Sequence, residues 1–184
     1  MRSHLLQSSH SLLALIDVQE RLCAAMPETA LQAVLHNCDI LLQSARLLEV
    51  PMLYTEQYPK GLGHTPEHLR QWLGLSPRIE KTSFSCCREP SFCAALQRDR
   101  SQIVLAGMEA HICILQTALQ LLEQGKQVFV VEDAVLSRNP DNKANALARL
   151  RQAGVVVTNT ESVAFEWLGA AEGDAFKQIS RLVR

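Results

Sequence analysis

Short, unbroken apolar runs alternate along this chain with segments of helical period, and that alternation restricts its fold most. Residues 12–16 (LLALI), 102–106 (QIVLA), 127–131 (QVFVV) and 155–158 (VVVT) are too apolar for a sheet with one wet face. They read as buried strands of a parallel sheet, joined by residues 51–55 and, more weakly, 78–80. Between them lie helical segments. The longest, 27–48, places Leu31, Val34, Leu35, Cys38, Leu41, Leu42, Ala45 and Leu48 at helical spacing behind Pro27 and Glu28. Further helices are expected at 66–73, 90–98, 112–124, 141–153, 161–168 and 174–183. Gly125 and Gly154 follow two of them as stop signals. Residues 56–65 carry Pro59, Gly61 and Gly63 and read as a loop. Strands alternating with helices predict an α/β fold with a parallel sheet covered on both sides, as one domain over residues 1–184.

The 184 residues suffice to bury a sizeable core, and 47% hydrophobic against 20% charged residues is a globular balance. Eighteen Lys and Arg against 19 Asp and Glu give a net charge of −1, which argues against a nucleic-acid surface as the main function. No apolar run approaches the roughly 20 residues of a membrane span, so no membrane partner is expected. The start, Met1-Arg2-Ser3-His4, lacks the apolar stretch and cleavage site of a signal peptide. The six cysteines form no CxxC pair. Reduced thiols and a cytoplasmic location are therefore expected.

Ligands of open parallel sheets bind outside the carboxyl ends of the strands. Asp17 and Gln19 follow the first strand, Glu56 and Gln57 the second, and Lys81 the third. Gly107 through Cys113 follow the fourth, and Glu132-Asp133 the fifth. An acid, an amine and a thiol at one sheet edge form a plausible nucleophilic set. A helix N-terminus and the Lys81 ammonium would favour a Cys113 thiolate, and Asp17 would carry its proton. The plainer readings are a buried thiol acting as a small hydrophobe and an aspartate acting as a helix cap.

At these residues the sequence resembles the isochorismatase-like cysteine hydrolases. The segments that carry the resemblance are Leu15-Ile16-Asp17-Val18-Gln19, Glu80-Lys81-Thr82-Ser83-Phe84 and Ala106-Gly107-Met108-Glu109-Ala110-His111-Ile112-Cys113. Thr55-Glu56-Gln57-Tyr58-Pro59-Lys60-Gly61-Leu62-Gly63 is similar to the branch of isochorismatase domain-containing proteins. The resemblance implies a three-layer, Rossmann-like sandwich with a six-stranded parallel sheet and an Asp17–Lys81–Cys113 triad. It also implies a non-proline cis peptide at Met108–Glu109 and an oxyanion hole from the backbone N–H groups of Glu109 and Cys113. Substrate-pocket candidates are Gln19, Glu56, Tyr58, Phe84, His111 and Trp167. Because a cysteine is present, amidase-type cleavage of a small amide or related C–N bond is favoured over the vinyl-ether cleavage of isochorismatase itself. Nicotinamidases of the family carry Asp-x-His and a second His as metal ligands after the second strand. Glu56-Gln57-Tyr58-Pro59 lacks that pattern, so neither metal nor any other cofactor is expected. A small-molecule substrate and a homo-oligomer are the partners implied.

Other signals carry less weight. His64-Thr65-Pro66-Glu67-His68 spells H-x-x-E-H, but Pro66 must open its helix and leaves His64 outside. Cys86-Cys87 as a redox pair would be strained. Gly61-Leu62-Gly63 does not complete a dinucleotide fingerprint. Two other readings of the whole chain stand beside the hydrolase: a catalytically quiet interaction protein keeping this fold, and a thiol redox sensor built on a low-pKa Cys113.

Overall fold

The computed structural model describes residues 4–96 and 99–184. Six parallel strands form one sheet: β1 (Ser11–Ile16), β2 (Met52–Gln57), β3 (Arg78–Lys81), β4 (Gln102–Met108), β5 (Gln127–Leu136) and β6 (Val156–Thr158), in the order β3-β2-β1-β4-β5-β6. The helices are α1 (Glu20–Ala24), α2 (Glu28–Leu47), α3 (Pro59–Leu62), α4 (Glu67–Leu73), α5 (Pro90–Ala95), α6 (Leu115–Glu123), α7 (Pro140–Ala153), α8 (Thr160–Leu168) and α9 (Gly173–Leu182). A single π-helical turn, Ala110–Ile114, leads into α6.

All six residues of β1 are buried because the strand serves two cores at once. Leu13 and Leu15 pack with Leu41, Leu42 and Trp167 on one face, whereas Leu12, Ala14 and Ile16 pack with Phe92, Ala118 and Leu150 on the other. Successive side chains of a strand point to opposite faces, so a strand apolar at every position requires helices on both. This is the three-layer α/β architecture expected from the apolar runs.

The chain winds from β1 outward to β2 and β3, then returns to lay β4 against the other side of β1. The connections therefore diverge between β1 and β4, and a crevice opens at their carboxyl ends. Gly107 allows the two strands to come together there. Its φ is +117°, and a Cβ at that position would lie 2.0 Å from the carbonyl oxygen of Ile16.

Several boundaries differ from expectation. The segment 56–65 is not wholly loop: β2 runs through Gln57, and α3 forms one short turn. Helix α1 carried no sequence signal. Strand β5 extends past Glu132-Asp133 to Leu136, because its pairing with β4 shifts register between Leu105 and Gly107 and resumes at Val135. The helix expected over 90–98 ends at Ala95; Arg98 lies outside the described residues, as does the Met1–Ser3 start.

Candidate active site

Strand geometry brings three charged or nucleophilic groups to the crevice. Asp17 follows the last residue of β1 with φ at +49°, a left-handed turn that an aspartate tolerates better than most residues. On β3, Ile79 and Lys81 alternate with exposed Arg78 and Glu80, so Lys81 is buried on the same face as Ile79. Cys113 lies in the π-helical turn after β4, packed in the core that also holds Ile79.

The Lys81 ammonium lies 2.6 Å from Asp17 Oδ2 and 3.6 Å from Cys113 Sγ. Lys81 Nζ also donates to Gln57 Oε1 at 2.5 Å and to the carbonyls of Ser83 and Phe84 at 3.1 and 3.3 Å. Asp17 is fixed from its other side, where the Thr55 hydroxyl donates to Oδ1 at 2.6 Å. Thr55 and Gln57 are alternate residues of β2 and so share one face; one holds the carboxylate and the other the ammonium. Apart from Lys81, Asp17 Oδ2 has no partner among the described residues.

These contacts set the protonation chemistry. Burial pushes the Cys113 thiol from its ordinary 9.0 up to about 12, and the Asp17 carboxylate adds to the rise while Lys81 opposes it. The expected lowering by the helix N-terminus and Lys81 is therefore reversed: dehydration of the thiolate and the adjacent carboxylate outweigh both. Burial pulls the Lys81 ammonium down, but Asp17 and the neighbouring thiols outweigh it, leaving its pKa above the ordinary lysine value. In the resting site the thiol is neutral beside a carboxylate–ammonium pair.

A cavity of ≈ 280 Å³ opens over this pair, lined by Asp17, Leu22, Gln57, Leu62, Phe84, Glu109, Ile112, Cys113 and Arg138. The Met108–Glu109 peptide at its wall is cis. Of the pocket candidates, only Phe84 lines this cavity. Gln19 is buried and acts as a staple: its side-chain amide donates to the carbonyls of Gln57 and Gly63 and accepts from Gln57 N–H. Glu56 points to the opposite face of β2, where it accepts from Thr65 N–H at 2.8 Å and contacts His64 Nδ1 at 3.0 Å. Tyr58 lines a neighbouring depression with Pro59, Lys60 and Glu80. His111 contacts Ser137 Oγ at 3.0 Å through Nδ1. Trp167 is at the far end of the sheet, where its indole donates to Ser11 Oγ at the start of β1.

Thr55 and Arg138 were missed by sequence reasoning. Thr55 reads in the sequence as the last residue of the strand over 51–55, and only residues beyond that strand stand as candidates; β2 runs on to Gln57. Arg138 follows the true end of β5, and the apolar triplet Ala134-Val135-Leu136 was the available sign that the strand continues beyond Glu132-Asp133. The site where nicotinamidases hold a metal does not fit one here. Glu56 is occupied by Thr65 and His64, and the Arg78 guanidinium lies 3.6 Å from it. Among the described residues, no group of three or more His, Cys, Asp or Glu side chains is placed to hold a metal ion.

Residues 11–162 match the isochorismatase domain. The chain belongs to the isochorismatase family. Isochorismatase domain-containing protein 2 of Danio rerio is 41% identical over 180 residues, covering 97% of this chain and 89% of that protein. The structure described as MAR1 ribonuclease from Caenorhabditis elegans aligns with a TM-score of 0.91 and 34% identity, covering 97% of this chain and 92% of that one. YcaC from Pseudomonas aeruginosa, solved with hexane-2,5-diol and covalent acrylamide, aligns at 0.86 with 25% identity over 97% of this chain and 91% of that one. The fold is thus that of the isochorismatase-family hydrolases, and no helix among the described residues is long and apolar enough to cross a membrane.

Proposed function

We propose that the chain is a metal-independent cysteine hydrolase that cleaves a small amide or related C–N bond. The observation that carries this reading is the Lys81 ammonium, 2.6 Å from Asp17 and 3.6 Å from Cys113, both of which line a small cavity. A thiol raised to about 12 attacks slowly unless its proton leaves during the attack, and the Asp17 carboxylate, whose Oδ2 is held only by Lys81 among the described residues, is the base at hand.

In the proposed sequence, Sγ bonds to the carbonyl carbon as Asp17 takes the thiol proton. The backbone N–H groups of Glu109 and Cys113 receive the oxyanion. Protonated Asp17 then gives its proton to the leaving nitrogen, the C–N bond breaks, and ammonia or a small amine departs from a thioester on Cys113. Asp17 next deprotonates a water that attacks the thioester, releasing the carboxylic acid and restoring the thiol. Lys81 holds Asp17 in place and offsets negative charge on sulfur throughout. Covalent acrylamide in the YcaC structure accords with a nucleophile in this fold, since acrylamide is a thiol-reactive electrophile.

The raised thiol disfavours the redox-sensor reading, which depends on a low-pKa cysteine. A ribonuclease reading, prompted by the C. elegans relative, lacks support from charge: the net charge is −1 and the cavity is only ≈ 280 Å³. A screen of small amides and carbamoyl amines, read by ammonia release with and without EDTA and beside an RNA-cleavage assay, tests the proposal. Turnover that survives EDTA and vanishes in Cys113→Ala is expected. RNA cleavage without amide turnover, or activity lost to EDTA and restored by zinc, overturns it.

A further inference from the structure

We propose that Gln57 is a positioning residue that restrains the Lys81 ammonium: by taking one of its protons it keeps Lys81 on Asp17 and withholds it from the Cys113 sulfur until Asp17 has accepted the thiol proton. This inference rests on reading the Cys113 cavity as the reaction site.

An ammonium has three protons to donate. Five acceptors surround Lys81 Nζ: Gln57 Oε1 at 2.5 Å, Asp17 Oδ2 at 2.6 Å, the carbonyls of Ser83 and Phe84 at 3.1 and 3.3 Å, and Cys113 Sγ at 3.6 Å. The two short contacts take two protons, and the two carbonyls compete for the third. Sulfur is the most distant of the five, so the resting thiol receives least. The Lys81 side chain is 0% exposed, which leaves no solvent to make up the difference. When Asp17 takes the thiol proton it loses its charge, and its hold on the ammonium weakens as the sulfur becomes negative. The proton that Asp17 releases then passes to the thiolate, while Gln57 keeps Nζ in place. Stabilisation of the thiolate is thereby tied to protonation of Asp17.

Gln57 is itself fixed for this work. Gln57 and Lys81 are paired residues of β2 and β3, so their side chains leave the sheet side by side. The backbone of Gln57 is clamped by one side chain: Gln19 accepts from its N–H at 2.7 Å and donates to its carbonyl at 3.0 Å. The side-chain amide donates to the Thr82 carbonyl at 2.8 Å, which turns its oxygen toward Lys81. That oxygen is neutral. It occupies an ammonium proton without adding a second negative charge beside a thiol that Asp17 and buried Cys86 already push up and only Lys81 pulls down.

The test is the rate of iodoacetamide labelling of Cys113 at pH 7.5, read by peptide mass spectrometry in wild type, Gln57→Met and Gln57→Glu. Gln57→Met keeps the length and removes the acceptor, and Gln57→Leu replaces it if that variant does not fold by circular dichroism. A freed ammonium proton should reach the sulfur, and labelling should speed up about three- to tenfold. Gln57→Glu keeps the shape and adds a charge, which should slow labelling about three- to thirtyfold. A merely structural role would move both variants the same way. In a Lys81→Met background, Gln57→Met should change the rate less than about twofold, because a residue acting through Lys81 has nothing left to act on. If Cys113 resists the reagent in every protein, its thiolate is titrated at 240 nm as the difference from Cys113→Ala, and the same order is required. Variants that shift together, no shift in either, or an effect of Gln57→Met that survives without Lys81 overturns the proposal. Ammonia release from amides is read separately. The expected labelling order without any turnover would count against the hydrolase reading and leave the role of Gln57 standing.

Discussion

Thr55 supplies a single hydroxyl, and on it depends how the Asp17 carboxylate is turned toward Lys81. It donates to Oδ1 at 2.6 Å, leaving Oδ2 to Lys81 and to an incoming proton. Thr55→Val keeps the shape and strands a buried carboxylate oxygen. A loss of about 1–3 kcal/mol in urea unfolding is expected, together with a fall in kcat larger than any change in KM. Cys113 is governed by dehydration rather than by the helix. With the thiol raised to about 12, its iodoacetamide labelling should climb about tenfold per pH unit between about pH 7 and pH 9. Lys81→Met should slow it at every pH, since the ammonium is the group that pulls the thiol down; peptide mass spectrometry distinguishes this cysteine from exposed Cys93. That Asp17, Lys81 and Cys113 come to one sheet edge was legible because Asp17 follows β1 and Cys113 follows β4, both plain apolar runs, while Lys81 ends the weakly signalled β3. Protonation was not, because burial depends on what packs over the site.

At the scale of elements, unbroken apolar runs identified the strands, since few other elements are apolar at every position for so short a length. Their ends were harder to read. Strand β5 passes two acidic residues that resemble a strand end. Asp133 is accommodated there because its carboxylate accepts from Thr160 N–H and Oγ1 at 2.9 and 2.8 Å, while its carbonyl accepts from Asn37. Those partners are distant in sequence, so the extension, and Arg138 beyond it, was hidden. Short α1 and α3 lack the length over which a helical period shows. The contact between β1 and β4 makes a sharper prediction. Gly107→Ala would force a Cβ to within 2.0 Å of the Ile16 carbonyl at a φ of +117°. A destabilisation of about 1–3 kcal/mol or more is expected, with loss of turnover because Asp17 follows Ile16 directly. Wild-type stability in this variant would show that the strands do not approach as described.

Across the whole molecule, the buried thiols set an alkaline limit on stability. Burial raises Cys23 to about 11 and Cys86 and Cys113 to about 12, against an ordinary 9.0. Above about pH 9 the unfolded chain therefore releases protons that the folded chain keeps, and each thiol lowers stability by about 1.4 kcal/mol per pH unit. The loss begins at the unfolded value and levels off as pH passes each folded value. Under reducing conditions, Tm should fall steeply between about pH 9 and pH 11, and a flat Tm there would mean the thiols are not buried as described. Three-layer architecture was legible at this scale because apolar strands demand cover on both faces. The identity of the cavity wall was not, since Leu22, Leu62, Ile112 and Arg138 come from four separate connections that meet only after the sheet has formed.

The central claim is that Cys113 carries the acyl group, and acid quenching during turnover tests it most directly. The amide that gives the fastest ammonia release is mixed with wild type and with Cys113→Ser, the reaction is stopped with acid within a few turnovers, and peptides are weighed. The account predicts the acyl mass on the Cys113 peptide of wild type. It also predicts a loss of at least about a hundredfold in turnover for Cys113→Ser, because a serine hydroxyl beside the same aspartate is a far weaker nucleophile. Wild-type turnover in Cys113→Ser, or steady ammonia release with the acyl mass on another residue, would contradict it.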